Sequence, residues 1–140
     1  MSLSDTELND LRALAGTMIP PSERYGAPGA DDELIFADIV HNIGRDLDDV
    51  RAALGRLAGL AKLDPARRLE AANAFRADGG PALAAIARVI LLCYYRDDRV
   101  MRSLGQEPRP PFPKGHVVEQ GDWSLLDPVK ARKPFWRRAS

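Results

Sequence analysis

Side chains suited to acid–base or metal chemistry are few in this sequence, and their spacing argues against catalysis. His41 lies close to Asp38 and Asp46. A metal site would need more nitrogen or sulfur ligands nearby, so His41 reads as a helix-surface or packing histidine. His116 reads the same way. Asp46, Asp48 and Asp49 cluster three carboxylates. They lack the glycine and terminal glutamate of a calcium loop and fit a solvated helix start. No serine stands in a nucleophile elbow. The glycines of GAPGA (residues 26–30) and the pair Gly79, Gly80 form neither a phosphate loop nor a dinucleotide fingerprint. Cys93 is the only cysteine and sits in the apolar run VILLCYY. It has no partner for a disulfide or a C-x-x-C motif, so a buried structural thiol is expected. Lys130, Arg132, Lys133, Arg137 and Arg138 surround Phe135 and Trp136, a mixture that single-stranded nucleic acids can use. The balanced charge of the chain weighs against that use. Catalytic, cofactor-binding and metal-ligating residues are therefore expected to be absent, and the chain is not expected to be an enzyme on its own.

The totals point the same way. The chain has 140 residues, 45% hydrophobic and 29% charged, with 20 basic and 20 acidic side chains. This composition is globular, and the length suits one small core. A net charge of zero disfavours a protein built mainly to hold nucleic acid. The charge is uneven: residues 1–64 carry 12 of the acidic but only 6 of the basic side chains. The N-terminal MSLSDTEL has neither the basic nor the apolar region of a secretory leader. The longest apolar run, residues 89–95, is too short to span a bilayer.

The elements that must carry any function are helical. Ser4 and Glu7 have the spacing of a capping box. Leu8, Leu11, Leu14, Ala15 and Met18 then share one helical face. Pro20 and Pro21 end this helix, predicted over 5–19, because a residue before proline is pushed out of the α region. After a glycine-rich loop, Asp31 or Asp32 caps a second helix with apolar positions Leu34, Ile35, Phe36, Ile39, Val40 and Ile43. Gly44 allows a kink or a short break, and helical pattern continues over 46–60. Asp64 followed by Pro65 marks a helix start, with Leu69, Ala72, Ala74 and Phe75 as its apolar face. Gly79 and Gly80 separate it from the most hydrophobic helix, carrying Leu83, Ile86, Ala87, Ile90, Leu91 and Tyr94, the expected centre of the bundle. Asp97 or Asp98 caps a short helix that Gly105 closes.

From residue 106 the chain changes character. Six of the eleven prolines lie in 106–140, a density that forbids long helices and interior strands. Aromatics remain, at Phe112, Trp123, Phe135 and Trp136. Solvated tails usually lack such residues. The expected architecture is all-α: a small helical bundle over 1–105, then an extended proline-rich C-terminal arm over 106–140. A weak hairpin signal lies near 114–121.

Two stretches carry a resemblance. LRALAGTMIPPSERYGAPGADD (residues 11–32) has a leucine-rich helix, an Ile-Pro break, and a loop ending in Pro-Gly-Ala before an acidic helix start. YYRDDRVMRSLGQEPRPPFPKG (residues 94–115) has paired aromatics, an acidic turn, a short helix ending in Leu-Gly, and a proline-rich exit. Together, in this order, they resemble the small-subunit family typified by gluconate 2-dehydrogenase subunit 3. Between them the likeness is only one of helical pattern.

The resemblance implies a non-catalytic accessory subunit of a large flavoprotein of the glucose–methanol–choline oxidoreductase type. The FAD would belong to that partner, in a hetero-oligomer acting on an alcohol or sugar. Family members can carry a twin-arginine export signal. Here Arg67 and Arg68 fall within a predicted helix, and Arg137 and Arg138 near the far end. A cytoplasmic location is expected, or a periplasmic one if the partner carries the signal. Tyr95, Met101, Phe112, Trp123, Phe135 and Trp136 are the expected partner-facing residues, whereas Tyr94 continues the core face. The competing expectation is a free-standing helical interaction or regulatory module whose arm folds back on its own bundle.

Overall fold

The computed structural model describes residues 2–109 and 120–133. Within them the protein is all-α, with seven α-helices and no strand among the described residues. The chain divides into two compact units, Met1–Pro108 and Arg109–Ser140. Phe112, His116, Phe135, Trp136 and most of the weak hairpin stretch lie outside the described residues.

In the first unit, α1 (Asp5–Met18) starts at the expected capping box. The Ser4 hydroxyl accepts the Glu7 N–H at 3.3 Å, and the Glu7 carboxylate accepts the Ser4 N–H at 2.7 Å. The helix stops at Met18, one residue short of expectation. Ile19, held extended at φ −136° by the proline that follows, is its C-cap. The loop turns back on itself through paired backbone hydrogen bonds between Ser22 and Ala27, at 2.9 and 3.1 Å. Asp32, rather than Asp31, caps α2 (Glu33–Asn42) by accepting the N–H groups of Leu34 and Ile35.

Of the kink and the short break that Gly44 allows, the structure shows the short break. A single 3-10 turn (Gly44–Asp46) leads into α3 (Leu47–Arg56), with Gly44 at a left-handed φ of +46°. The helical pattern expected to run to residue 60 is cut short. α3 ends at Arg56, and residues 60–62 form a separate 3-10 turn (Leu60–Lys62). The cause is Asp10. This carboxylate, 3% exposed, accepts the N–H groups of Gly59 and Ala61, both at 2.8 Å. Those donors are thereby turned away from a continuing α-helix and toward α1.

Asp64 then caps α4 (Pro65–Asp78), and Gly79 and Gly80 separate it from α5 (Pro81–Arg96). Asp97, rather than Asp98, caps α6 (Asp98–Ser103). α5 packs chiefly on α3 and α2, while α1 packs on α4 and on the 3-10 turn at Leu60–Lys62. Leu11, Ile35, Ile39, Leu54, Leu60, Ile86 and Ile90 are the largest aliphatic side chains fully enclosed between them. Four residues assigned to apolar faces are exposed instead: Leu34 at the start of α2, Leu69 and Ala74 on α4 and Leu91 on α5. Each lies beyond the arc of its helix that a neighbour covers.

Arg99 ties two helix starts together. Its Nη2 donates to Asp32 Oδ1 at 2.6 Å and to Asp97 Oδ2 at 3.1 Å, and its Nε donates to Asp97 Oδ1 at 3.1 Å. One guanidinium thus serves both the α2 cap and the α6 cap, which are 65 positions apart. Hydrogen bonds from Arg99 hold the Asp32 carboxyl below its ordinary value of 3.8. At Asp97 burial opposes the charge, but the Arg99 side chain and the backbone donors outweigh it, and that carboxyl is lowered too.

In the second unit the described residues form a 3-10 turn (Trp123–Leu126) and a single turn of helix, α7 (Asp127–Lys130). Asp122 starts them, accepting from the backbone and hydroxyl of Ser124 at 3.0 and 2.6 Å.

Two outcomes follow from these joints. Asp10→Ala strands two partly buried N–H groups, so the denaturant midpoint should fall by the equivalent of about 2 kcal/mol at unchanged m-value. Asp10→Asn, which keeps one acceptor oxygen, should lose less. For Asp32 and Asp97 the folded values lie below the unfolded ones. Their stabilisation is complete above the unfolded value near 3.8 and is lost as pH falls through the lower folded values. In urea titrations from about pH 5 to about pH 2, Arg99→Met should start less stable than wild type and lose less stability across the window.

Candidate partner interface

The longest helix of the bundle, α5, keeps one face uncovered. Ile86, Val89, Ile90, Cys93 and Tyr94 bury one side of α5. Helical spacing places Ala84, Arg88, Leu91, Leu92 and Tyr95 on the other side, and all five are exposed. Leu92 is 62% exposed and Tyr95 54%.

Salt bridges flank this strip. Arg88 pairs with Asp46 at 2.5 Å, reaching the 3-10 turn before α3. Arg96 grips Asp38 of α2 with two hydrogen bonds, at 2.7 and 2.6 Å. The guanidinium keeps the Asp38 carboxyl below its ordinary range. These pairs fix the strip's edges without covering Leu91, Leu92 or Tyr95.

The expected partner-facing residues fall into three groups. Tyr95 is exposed at the end of the α5 strip, its ring edge-on to Tyr94 at 5.1 Å between centroids. Met101, on α6, is half-buried. Trp123, in the second unit, is 65% exposed, and its Nε1 donates to Gln120 at 3.3 Å. Phe112, Phe135 and Trp136 lie outside the described residues. Tyr94 faces inward as expected, and its hydroxyl donates to the Pro28 carbonyl at 3.1 Å.

Leu91 and Leu92 are the exposed residues that sequence reasoning left out of the interface. The signal was present in the period: Leu92 and Tyr95 both follow Arg88 at helical spacing, opposite Ile86 and Ile90. Leu91 fits the same helical period as Leu83 and Ala87, which places it on the apolar face. It lies on the border of the two arcs.

A second apolar feature is a cleft of about 360 Å³ among α1, α4 and α5, lined by Leu14, Met18, Phe75, Leu83 and Ile86. Leu69 also lines it. Arg56 closes over the other side of Phe75, its guanidinium carbon 4.8 Å from the ring centroid, and pairs with Asp78 at 2.5 Å.

Among the described residues, no group of three or more His, Cys, Asp or Glu side chains is placed to hold a metal ion. No helix of the described residues is long and apolar enough to cross a membrane. Cys93 is 2% exposed. Burial, with the nearby Asp38 carboxylate, pushes its thiol up to about 11. No family model matches the chain, and no curated protein or solved structure matches it.

Because thiolate is the reacting species, Cys93 should resist a chromogenic disulfide reagent at about pH 8 in the native chain and react fully once guanidinium unfolds it. Reaction at comparable rates in both states would contradict the buried placement.

Proposed function

We propose that this chain is a non-catalytic small subunit that binds and stabilises a large FAD-dependent dehydrogenase or oxidase acting on an alcohol or sugar. The flavin and the reacting groups belong to the large subunit, and this chain contributes surface. The complex is cytoplasmic, or periplasmic where the flavoprotein carries the export signal.

The observation that carries this reading is the uncovered strip Leu91, Leu92 and Tyr95 on α5, the bundle's longest helix. Contiguous exposed apolar residues of this kind favour a partner. The resemblance over residues 11–32 and 94–115 names the partner's class. Those two stretches also touch: Tyr94 donates to the Pro28 carbonyl and Arg99 to Asp32. The first-unit parts of both stretches therefore meet in one joint, and the strip on α5 reaches it at Tyr95, next to Tyr94. Trp123, Leu125, Leu126 and Val129 add exposed apolar surface in the second unit.

The test is co-expression of the chain with a glucose–methanol–choline-type flavoprotein from the same organism. A two-chain complex with a flavin absorption spectrum is expected. Covering Leu92 or Tyr95 is worth about 1.5–3 kcal/mol each before ordering costs. Leu92→Glu and Tyr95→Glu should therefore weaken association at least tenfold while far-ultraviolet circular dichroism stays unchanged. A flavoprotein equally soluble and active without this chain, which itself purifies as an ordered monomer, would refute the proposal and favour the free-standing interaction module.

A further inference from the structure

A polar groove runs along α1 on a part of the surface that the α5 strip does not include. Two adjoining cavities of about 380 and 290 Å³ share Arg12, Ala13, Asp31 and Arg68. The first extends to Lys62 and Asp10, and the second to Gly16 and Pro65. Both therefore lie between α1 and the chain that enters α4.

Three cations line this groove without acidic partners. Arg51, Arg56, Arg88, Arg96 and Arg99 each form an ion pair between separate parts of the fold. Among the described residues, Arg12, Lys62 and Arg68 form none. Of the two carboxylates in the groove, Asp10 is engaged by the Gly59 and Ala61 N–H groups. Asp31 is packed against α1, where a Cβ on Gly16 would come 2.8 Å from its Cγ. The cations outnumber the carboxylates, and the better-buried carboxylate is already committed.

Both guanidinium groups are positioned in advance. Arg12 donates from Nε to the Asp31 carbonyl at 3.0 Å and lies over the Phe36 ring, 5.3 Å from its centroid. Its terminal nitrogens are left for another acceptor. Arg68 donates from Nη2 to the Ala61 carbonyl at 2.7 Å, while its Nε–H is buried without a hydrogen-bond partner. A buried charged donor in that condition is a defect that native proteins usually correct with water or an ion. A small turn of the side chain toward an oxyanion in the groove would supply the missing acceptor. Guanidinium forks suit such oxygens because they can donate two parallel hydrogen bonds.

We propose that this groove binds a small molecule through a phosphate or carboxylate head group, held by Arg12, Arg68 and Lys62. The proposal does not depend on the flavoprotein partnership, since it uses a different set of residues.

The test is nuclear magnetic resonance of the full chain labelled with nitrogen-15, following the arginine Nε–Hε signals. One arm titrates inorganic phosphate and the other acetate, with chloride holding ionic strength constant. Saturable shifts at Arg12 and Arg68 are expected in at least one arm, and the tighter arm identifies the head group. Arg12→Gln should weaken binding at least tenfold. Arg24→Gln, which changes an exposed arginine beside Tyr25, should leave the curve unchanged. Arg68→Gln also removes the tie to Ala61, so the exposed Arg12 is the decisive position. Shifts that fail to saturate, or saturable binding that survives Arg12→Gln, would overturn the assignment.

Discussion

Asp10 sets the geometry on which the first unit depends. A carboxylate taken out of water must find donors, or the fold loses more than it gains from burial. Here the donors are the backbone N–H groups of Gly59 and Ala61, about fifty residues along the chain. Meeting that demand ends the helical run after α3 and forces the 3-10 turn at Leu60–Lys62. The turn directs the chain into Asp64 and Pro65, whose cap starts α4. It also places Leu60 in the core against α1. The opposite side of the same turn is held by Arg68, which returns from α4 to the Ala61 carbonyl. One acid and one base thus grip a single turn from its N–H and C=O sides.

Arg99 does comparable work at the other end of the bundle, with different energetics. Its partners Asp32 and Asp97 are partly solvated, so the Coulombic gain is screened and modest. Position matters more than strength. Each aspartate already satisfies the first N–H groups of a helix, so the guanidinium joins two caps whose geometry is set locally. Tyr94 adds the hydroxyl contact to Pro28 beside them. The loop between α1 and α2 and the corner between α5 and α6 consequently behave as one joint. This gives a physical reason for the two stretches that carry the family resemblance to act together.

How much of this was legible in the sequence depends on range. Local rules worked where a residue acts on its near neighbours. The Ser4–Glu7 box, the Asp64–Pro65 start and the glycine stop at Gly105 all appear as read. The all-α class and the buried character of Ile86, Ile90 and Tyr94 also followed from period, and that of Cys93 from its apolar run. Choosing between Asp31 and Asp32 was beyond a local rule, because Arg99 contributes to the outcome from 67 positions along the chain. Asp10 was missed for the same reason: its polar symbol sits beside a leucine stripe, and only the distant turn explains its burial. The 46–60 pattern overran because Leu57 and Leu60 are both buried, yet they belong to separate turns. A hydrophobic period marks which residues go inward. It does not mark where the backbone donors go.

The same distinction explains the exposed strip on α5. A helix surrounded by a large core can be apolar on every side, but six short helices enclose only one arc of a neighbour. α3 and α2 cover the arc of Ile86 and Ile90, and nothing in the first unit covers Leu92. Arg88 and Arg96 could have shielded it by lying across the strip. Instead both extend sideways to Asp46 and Asp38. Their ion pairs keep long, flexible cations off the apolar surface and hold the strip flat between two charged borders. A partner that covers Leu91, Leu92 and Tyr95 would therefore have little side-chain rearrangement to impose, and the rim is already polar where such interfaces usually are. The buried face of α5 supplies the core, and its exposed face is the surface the proposed partner would cover.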